Sequence, residues 1–312
     1  MKKTLRFLGA MALGLLMAPV FTSCGDDEPG DGAGNVQTPV YDGTRISSIN
    51  NVPVRYDQQG RAVSFGSEFS IDYSTGRIYF DDADEEEENV TVSFTDKGYI
   101  SSMKSSWNDE APYDDVRNKG NASVQFSYDK DGHIVKITET SKETSTWPYI
   151  GESSTFEGNV TISMTWKDGN LVKVVVDEIE IEDGEKDHDR YVCDIDYGTQ
   201  MNVFRQFPMS LADAFTEDTS WHLLASLGFL GIGPNRIPES MEETYDDGCS
   251  GPQTFSITLN DNGTISSECV EYRVYYYGYS AVTKGIGASK ISSKKPMRAR
   301  DLLLFKNRRN NK

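Results

Sequence analysis

Phe126-Ser-Tyr-Asp-Lys-Asp-Gly132-His-Ile-Val135 and Met164-Thr-Trp-Lys-Asp-Gly169-Asn-Leu-Val172 are the stretches that decide the fold. In each, apolar and polar residues alternate, a short polar turn closes on Gly, and the alternation resumes. Asp caps the main chain of such a turn, and Gly supplies the positive φ that the return requires. The same pattern stands at Val54-Arg-Tyr-Asp-Gln-Gln-Gly60-Arg-Ala-Val63, Ile71-Asp-Tyr-Ser-Thr-Gly76-Arg-Ile78, Val92-Ser-Phe-Thr-Asp-Lys-Gly98-Tyr-Ile100 and Ile257-Thr-Leu-Asn-Asp-Asn-Gly263-Thr-Ile265. Recurrence on this scale is the mark of successive β-hairpins.

Register sharpens the reading. A four-residue loop at 129–132 puts Val124, Phe126 and Tyr128 on one side with Val135 and Ile137. A loop at 167–169 joins Ile162, Met164 and Trp166 to Val172, Val174 and Val176. Each pair then has one apolar and one mostly polar face, as an antiparallel sheet wetted on one side requires. Spacing is uneven, with longer gaps at 81–89, 104–122 and 138–158, which favours one irregular meander over a solenoid or propeller. One segment breaks the pattern. Residues 210–230 suit a helix over about 218–230, with Asp218 as N-cap, Trp221, Leu224, Ala225 and Leu227 at helical spacing, and Gly228 or Gly231 as its end. So apolar a helix must be buried, and a concave sheet is the surface available to bury it. The expected fold is therefore mainly β: a single curved antiparallel meander sheet of successive hairpins with one buried helix.

Composition sets the outer limits. The 312 residues hold 31 Lys plus Arg against 49 Asp plus Glu, a net charge of −18, with 37% apolar residues. Such a chain can bury a core, and its acidity excludes the basic footprint of a nucleic-acid binder.

The organisation along the chain starts with Lys2 and Lys3, an apolar run from Phe7 to Phe21, and Thr22-Ser23-Cys24. That is the order of a secretory signal peptide, residues 1–23, and the apolar run is shorter than the roughly 20 residues of a membrane span. Its loss takes the charge from −18 to −21 (−18 − 3). Phe-Thr-Ser-Cys resembles a bacterial lipobox, which implies lipidation of Cys24. Asp26, Asp27 and Glu28 resemble the acidic export signal of Bacteroidetes-type surface lipoproteins, with a solvated linker as the alternative. Residues 24–40 form a flexible acidic linker, 41–280 the β-meander domain, and 281–312 a basic tail. The tail has ten Lys or Arg and one Asp, a net +9, which leaves 24–280 at −30 (−21 − 9). It is read as disordered, or as docking on the acidic body or on membrane-surface phosphates.

With the lipobox and its acidic followers, the Tyr-Asp-x-x-Gly-Arg turns and the helix ending in Gly231-Ile-Gly-Pro-Asn-Arg-Ile-Pro238, the chain resembles an uncharacterised family of Bacteroidetes outer-membrane lipoproteins. The resemblance covers 41–280. It implies a β-meander domain of unknown function, likened to porin-type sheets, and brings no catalytic residues.

Candidate chemistry is sparse. Besides Cys24, the thiols are Cys193, Cys249 and Cys269, and Cys249 with Cys269 is the favoured disulfide because they flank one predicted hairpin. No spacing ties His133, His188 or His222 to a thiol, so no catalytic residue, metal site or cofactor is assigned and the chain is read as no enzyme. The runs Asp81–Glu88 and Asp183, Glu185, Asp187, Asp189 read as solvated acidic loops that lack the spacing of a calcium cage. Trp166 and Trp221 read as core. Trp107, Tyr113, Trp147 and Tyr149 lie in the longer connections, where aromatic rings can stack on sugars.

The functional expectation is a lipid-anchored envelope protein, held in the outer membrane through Cys24 and facing the exterior, with the periplasmic face as alternative. It acts as a non-enzymatic binding or accessory module for glycan. The alternatives are an envelope assembly protein that pairs through a free edge at Tyr272–Tyr279, and a carrier of apolar ligands on the concave face.

Overall fold

The structure, a computed structural model, describes residues 39–41, 43–66, 69–80, 90–109, 117–216, 219–245, 248–270 and 273–282. Cys24, Asp26, Asp27, Glu28, the run Asp81–Glu88, Tyr113, Asp218 and the tail from 283 onward lie outside the described residues.

Short strands come first: β1 (Thr44–Ile49), β2 (Val52–Tyr56), β3 (Ala62–Phe65), β4 (Phe69–Asp72), β5 (Arg77–Phe80) and β6 (Thr91–Phe94). Long ones follow: β7 (Ile100–Asp109), β8 (Arg117–Tyr128), β9 (Ile134–Trp147), β10 (Glu152–Lys167), β11 (Asn170–Glu182) and β12 (Glu185–Met201). Two helices intervene, α1 (Met209–Ala212) and α2 (Thr219–Ser226). The chain then returns as β13 (Arg236–Tyr245), β14 (Gly248–Thr254), β15 (Ile257–Leu259), β16 (Ile265–Val270) and β17 (Arg273–Ala281).

All pairings are antiparallel and run between chain neighbours from β1 to β14 and from β15 to β17, with β1 also paired to β17. The one 17-stranded sheet therefore has β14 and β15 as its ends. These ends are consecutive in the chain but do not pair with each other. Only Phe255, donating to Glu239 O, and Ser256, accepting from Cys269 N, hand the ladder from β13 to β16. The sheet thus curls until its ends meet without closing by a strand pair. The predicted free edge at Tyr272–Tyr279 is corrected in part. Arg273–Tyr276 pair with β16 and Tyr277–Ala281 with β1, so each described residue of β17 has a strand partner on one side, while Tyr272 lies outside the described residues.

Since alternate connections of a meander fall at the same end, the Gly-closed turns after β2, β4, β6, β8 and β10 lie together. The one after β15 joins them because β14 runs on into β15 without reversing; this end is termed here the turn end. Register shifts sit beside five of these turns. A bulge beside a turn raises local twist and bends the strand, which curls the sheet. The bulges also correct two residues of the predicted register. Asp168 and Gly169 both take positive φ as a two-residue turn, so Trp166 pairs with Leu171 and Val172 is the extra residue. Likewise Tyr128 pairs with Ile134 and Val135 is extra. Leu171 and Ile134 are the fully buried residues there.

Residues 202–235, between the paired strands β12 and β13, turn inward and fill the concave face. The predicted helix is two: α2 covers the core of the expected span, and one-turn α1 precedes it. Trp221 of α2 packs against Phe126 in a tilted contact with ring centroids 5.4 Å apart, and Phe229 meets Phe94 at 6.2 Å. Gly228, at φ +82, ends α2, and a Cβ there would meet Pro39 Cγ at 2.3 Å. The conformation and the close approach both require glycine. Main-chain bonds tie this plug to the turns: Ile100 N donates to Phe229 O at 2.9 Å and Ile232 N to Gly132 O at 3.0 Å.

Glu268, on an inward position of β16, holds the start of α1. Its carboxylate accepts from Met209 N at 2.9 Å, from Ser210 N at 2.8 Å, from Ser210 Oγ at 2.7 Å and from the Tyr277 hydroxyl. These bonds satisfy donors that a helix start leaves open. Burial pushes the Glu268 carboxyl above its ordinary range despite them.

Candidate functional site

The outward positions of β9 and β10 are polar, as in Thr138, Thr140, Lys142 and Thr144 of β9 and Glu157, Asn159, Thr161 and Ser163 of β10, whereas β11 places Val175, Ile179 and Ile181 on that face. A strand facing lipid needs an apolar outward set. On β9 and β10 the outward set is polar instead. No helix among the described residues is long and apolar enough to cross a membrane.

Inside, the long strands divide into two zones. Across β8 to β13 one row of register partners reads Phe126, Ile137, Ile162, Val176, Tyr191, Tyr245. It marks the floor of the apolar zone that the plug fills. The next row toward the far end, from β7 to β12, reads Met103, Val124, Glu139, Val160, Glu178, Asp189. The row beyond it reads Ser105, Ala122, Ser141, Gly158, Glu180, Asp187, and the third Trp107, Gly120, Glu143, Phe156, Glu182, Glu185. An inner wall that is apolar at the turn end thus becomes acidic at the far end.

Two corrections follow. Glu185, Asp187 and Asp189, read from sequence as part of a loop, belong to β12; the loop is only Asp183 and Gly184, both at positive φ. Trp107 is no loop aromatic but an inward residue of β7, 3% exposed, whose Nε1 donates to Glu143 Oε2 at 3.1 Å. It fits because position 120 is glycine: a Cβ there would lie 2.2 Å from Trp107 Cζ2. Trp147 ends β9 half-buried, while Tyr149 in the following turn is 83% exposed beside Ile150 at 65%. The structure does not bring Trp107 and Tyr149 together on one surface.

Two faces of one strand pair show how charge is sorted. On the outward face of β11–β12, Asp177 stands opposite Arg190 and Ile181 opposite Lys186. On the inward face Glu178 stands opposite Asp189, Glu180 opposite Asp187 and Glu182 opposite Glu185. Like charges directly opposite each other on one face are destabilising. In the three rows of the wall, no position holds Lys or Arg.

The other titratable clusters are structural. Asp129, Asp131 and His133 lie close enough to hold a cation. However, His133 Nδ1 binds Asp129 Oδ2 at 2.8 Å, and its Nε2 takes the Arg205 guanidinium. Both ring nitrogens are thereby used, and the ring stacks on Trp166 at 4.2 Å. Burial raises the Asp129 carboxyl, but bonds from the His133 ring and main chain and from Asp131 N outweigh it, so the group lies below its usual range. Cys249 and Cys269 are free thiols, so the favoured disulfide between them is not formed. His222 is buried on α2 and bonds Thr216 O at 2.9 Å.

Sequence reasoning missed Glu268 and the acidic wall. The acids of β11 and β12 are visible as Glu178-Ile-Glu-Ile-Glu182 and Asp187-His-Asp189, whose strict alternation was the signal for a one-faced charge row.

No family model matches the chain, and no curated protein matches it in sequence. Among solved structures it is similar to a porin-like protein from Bacteroides vulgatus, at 11% identity and a TM-score of 0.46, over 76% of this chain and 99% of that one. A porin-like protein from Bacteroides uniformis matches at 10% identity and a TM-score of 0.25, over 64% of this chain and 93% of that one. At these TM-scores neither likeness carries an argument.

Proposed function

We propose that the protein is a lipid-anchored outer-membrane protein, held through Cys24, that works as a non-enzymatic binding module for glycan at the far end of its sheet. The carrying observation is polarity. Tyr41, where the linker enters, opens β1 at the turn end, whereas the exposed Tyr149 and Ile150 sit in a connection at the opposite end. A tether at one end directs the other away from the membrane, and an exposed aromatic ring there meets sugar C–H faces. The Asp26-Asp27-Glu28 run supports display on the exterior.

The alternatives lose their stated contacts. A carrier of apolar ligands needs the concave face, where Leu224, Ala225 and Trp221 of α2 are at most 1% exposed. Assembly by strand addition has the two ends of the sheet to use, β14 and the three-residue β15, and Pro252 of β14 lacks an N–H and thereby blunts that edge.

Thermal unfolding of the full chain against a polysaccharide panel tests the ligand class. A ligand at 100 times its Kd stabilises by about 2.7 kcal/mol, which for about 240 residues is about 5–10 °C. The shift is expected in the wild type and lost in Tyr149→Ala. A flat panel overturns the glycan reading. Release of Cys24→Ser from the membrane fraction tests the anchor, and retention overturns it.

A further inference from the structure

We infer that the sheet is built as two clasped arcs that flex against each other about two unclasped joints, β5–β6 and β14–β15. The clasps come first. At each of the five bulged turns, the second residue after the turn glycine is at most 1% exposed: Ala62, Ile100, Ile134, Leu171 and Ile265. A bulge disrupts the ladder locally, and a buried carbonyl beside it needs a donor. In all five cases an aromatic side chain near the end of the following strand provides it. Tyr73 donates to Ala62 O at 2.9 Å, Tyr128 to Ile100 O at 2.7 Å, the Trp166 indole to Ile134 O at 2.7 Å, Tyr197 to Leu171 O at 3.1 Å and Tyr279 to Ile265 O at 2.8 Å. Each bond therefore ties one hairpin to the strand that comes after it. Burial raises the Tyr73, Tyr128, Tyr197 and Tyr279 hydroxyls above their ordinary value, so they remain donors.

The series breaks at two places. The β4–β5 hairpin has no register shift, and the aromatic that β6 brings beside it is Phe94, which has no donor. Phe94 lies instead between the Tyr73 ring, at 5.4 Å, and the Phe229 ring, at 6.2 Å. Apolar contact of this kind is non-directional and tolerates sliding. The main chain crosses the joint from Val92 N to Gly76 O at 2.7 Å and from Ile78 N to Val90 O at 3.4 Å. At β14–β15 the strand leaves β13 for β16, and the Phe255 and Cys269 amides carry the ladder across. One arc is thus β15–β17 with β1–β5, and the other is β6–β14. The plug grips both through different parts. Met209 and Ser210 are held by Glu268 of the first arc, whereas Phe229 and Ile232 bond Ile100 and Gly132 of the second. It is the strap between the arcs rather than a part of either.

The experiment is hydrogen exchange of the full chain without ligand, read residue by residue. The Ile78, Val92, Phe255 and Cys269 amides, whose bonds cross the two joints, should exchange at least about tenfold faster than the bonded amides of β3 and β4. Those two strands are as short as β5 and β6 but are clasped by Tyr73, so strand length alone predicts no difference. Tyr128→Phe keeps the ring and removes one donor, and should speed exchange across β7–β8 about tenfold, the worth of one hydrogen bond. A disulfide made in Arg77→Cys/Thr91→Cys, at the register pair between the two bonded positions, locks β5 to β6. It should slow exchange at Ile78 and Val92 and also at the distant Phe255 and Cys269. Slowing confined to β5–β6 marks local fraying and overturns the two-arc reading. Joint amides as protected as those of β3–β4 overturn it too, as does Tyr128→Phe exchange equal to wild type. The wild-type and Tyr128→Phe measurements decide the matter even where the cross-linked variant fails to fold.

Discussion

The two halves of the inner face are made by the same strands yet obey different rules. Toward the turn end, Ile137, Ile162 and Val176 point at a plug of helix and loop, and the interior is as apolar as any core. Two residues farther along the same strands, Glu139 and Glu178 take the corresponding inward places. Sheet geometry does not distinguish the halves, since the ladder runs through both without interruption. What differs is the partner laid against them. The 202–235 insertion covers only the first half, and its length fixes where apolar side chains stop being useful. Alternation along a strand therefore reports which side faces inward. It does not report what the inside contains.

The largest effect that sharpens the contrast is Trp221→Ala. It removes a fully buried ring from the plug, at a cost of about 3–5 kcal/mol, read as the fall in the denaturation midpoint. A loss below about 1 kcal/mol would mean that the plug is not the core of the domain.

Glu268→Ala comes next. It strands the N–H groups of Met209 and Ser210 and the Tyr277 hydroxyl, for a loss of about 2–4 kcal/mol. Glu268 also carries a pH signature. Its folded carboxyl is raised by burial above the ordinary 4.5, so between those two values the folded state holds a proton that the unfolded state has released. Its contribution therefore falls as pH rises from about 4.5 upward. Glu268→Gln should flatten that slope in a series of melts across pH, and an unchanged slope would remove Glu268 as its source. Asp129, held below its usual range, acts in the opposite sense: its contribution is present above the ordinary value of 3.8 and fades as pH drops through it.

In the acidic half the expected effects are smaller. Gly120→Ala drives a methyl into Trp107 and toward Lys142 O, 2.5 Å from the new Cβ, for about 1–3 kcal/mol of overpacking. Trp107→Phe keeps most of the ring and loses only the bond to Glu143, about 1 kcal/mol. If both cost as much as Trp221→Ala, the distinction between the halves fails. Smallest of all, Tyr149→Ala should change stability by no more than about 0.5 kcal/mol while abolishing any glycan-induced shift. A large loss of stability would make Tyr149 a structural residue.

The sequence by itself determined the hairpins, their antiparallel pairing, the inward side of β8–β11 and the buried helical segment. These are local or nearest-neighbour facts, written in two-residue alternation and in Asp-Gly turns such as Asp168-Gly169. Even there the bulges at Val135 and Val172 escaped, because a register slip at a turn depends on which φ values the turn residues take. Only the tertiary structure decided that β17 returns to β1, across more than two hundred residues, and pairs its second half there. It also decided that Glu268 reaches Met209 and Ser210, 59 and 58 residues away, and that Trp107 turns inward onto Glu143. Most of all, it brought Glu139 and Glu143 of β9 into the same rows as the acids of β11 and β12. Alternation encodes the face on which a side chain stands, but which strands share that face is fixed by how the sheet curls, and no short stretch of sequence carries that information.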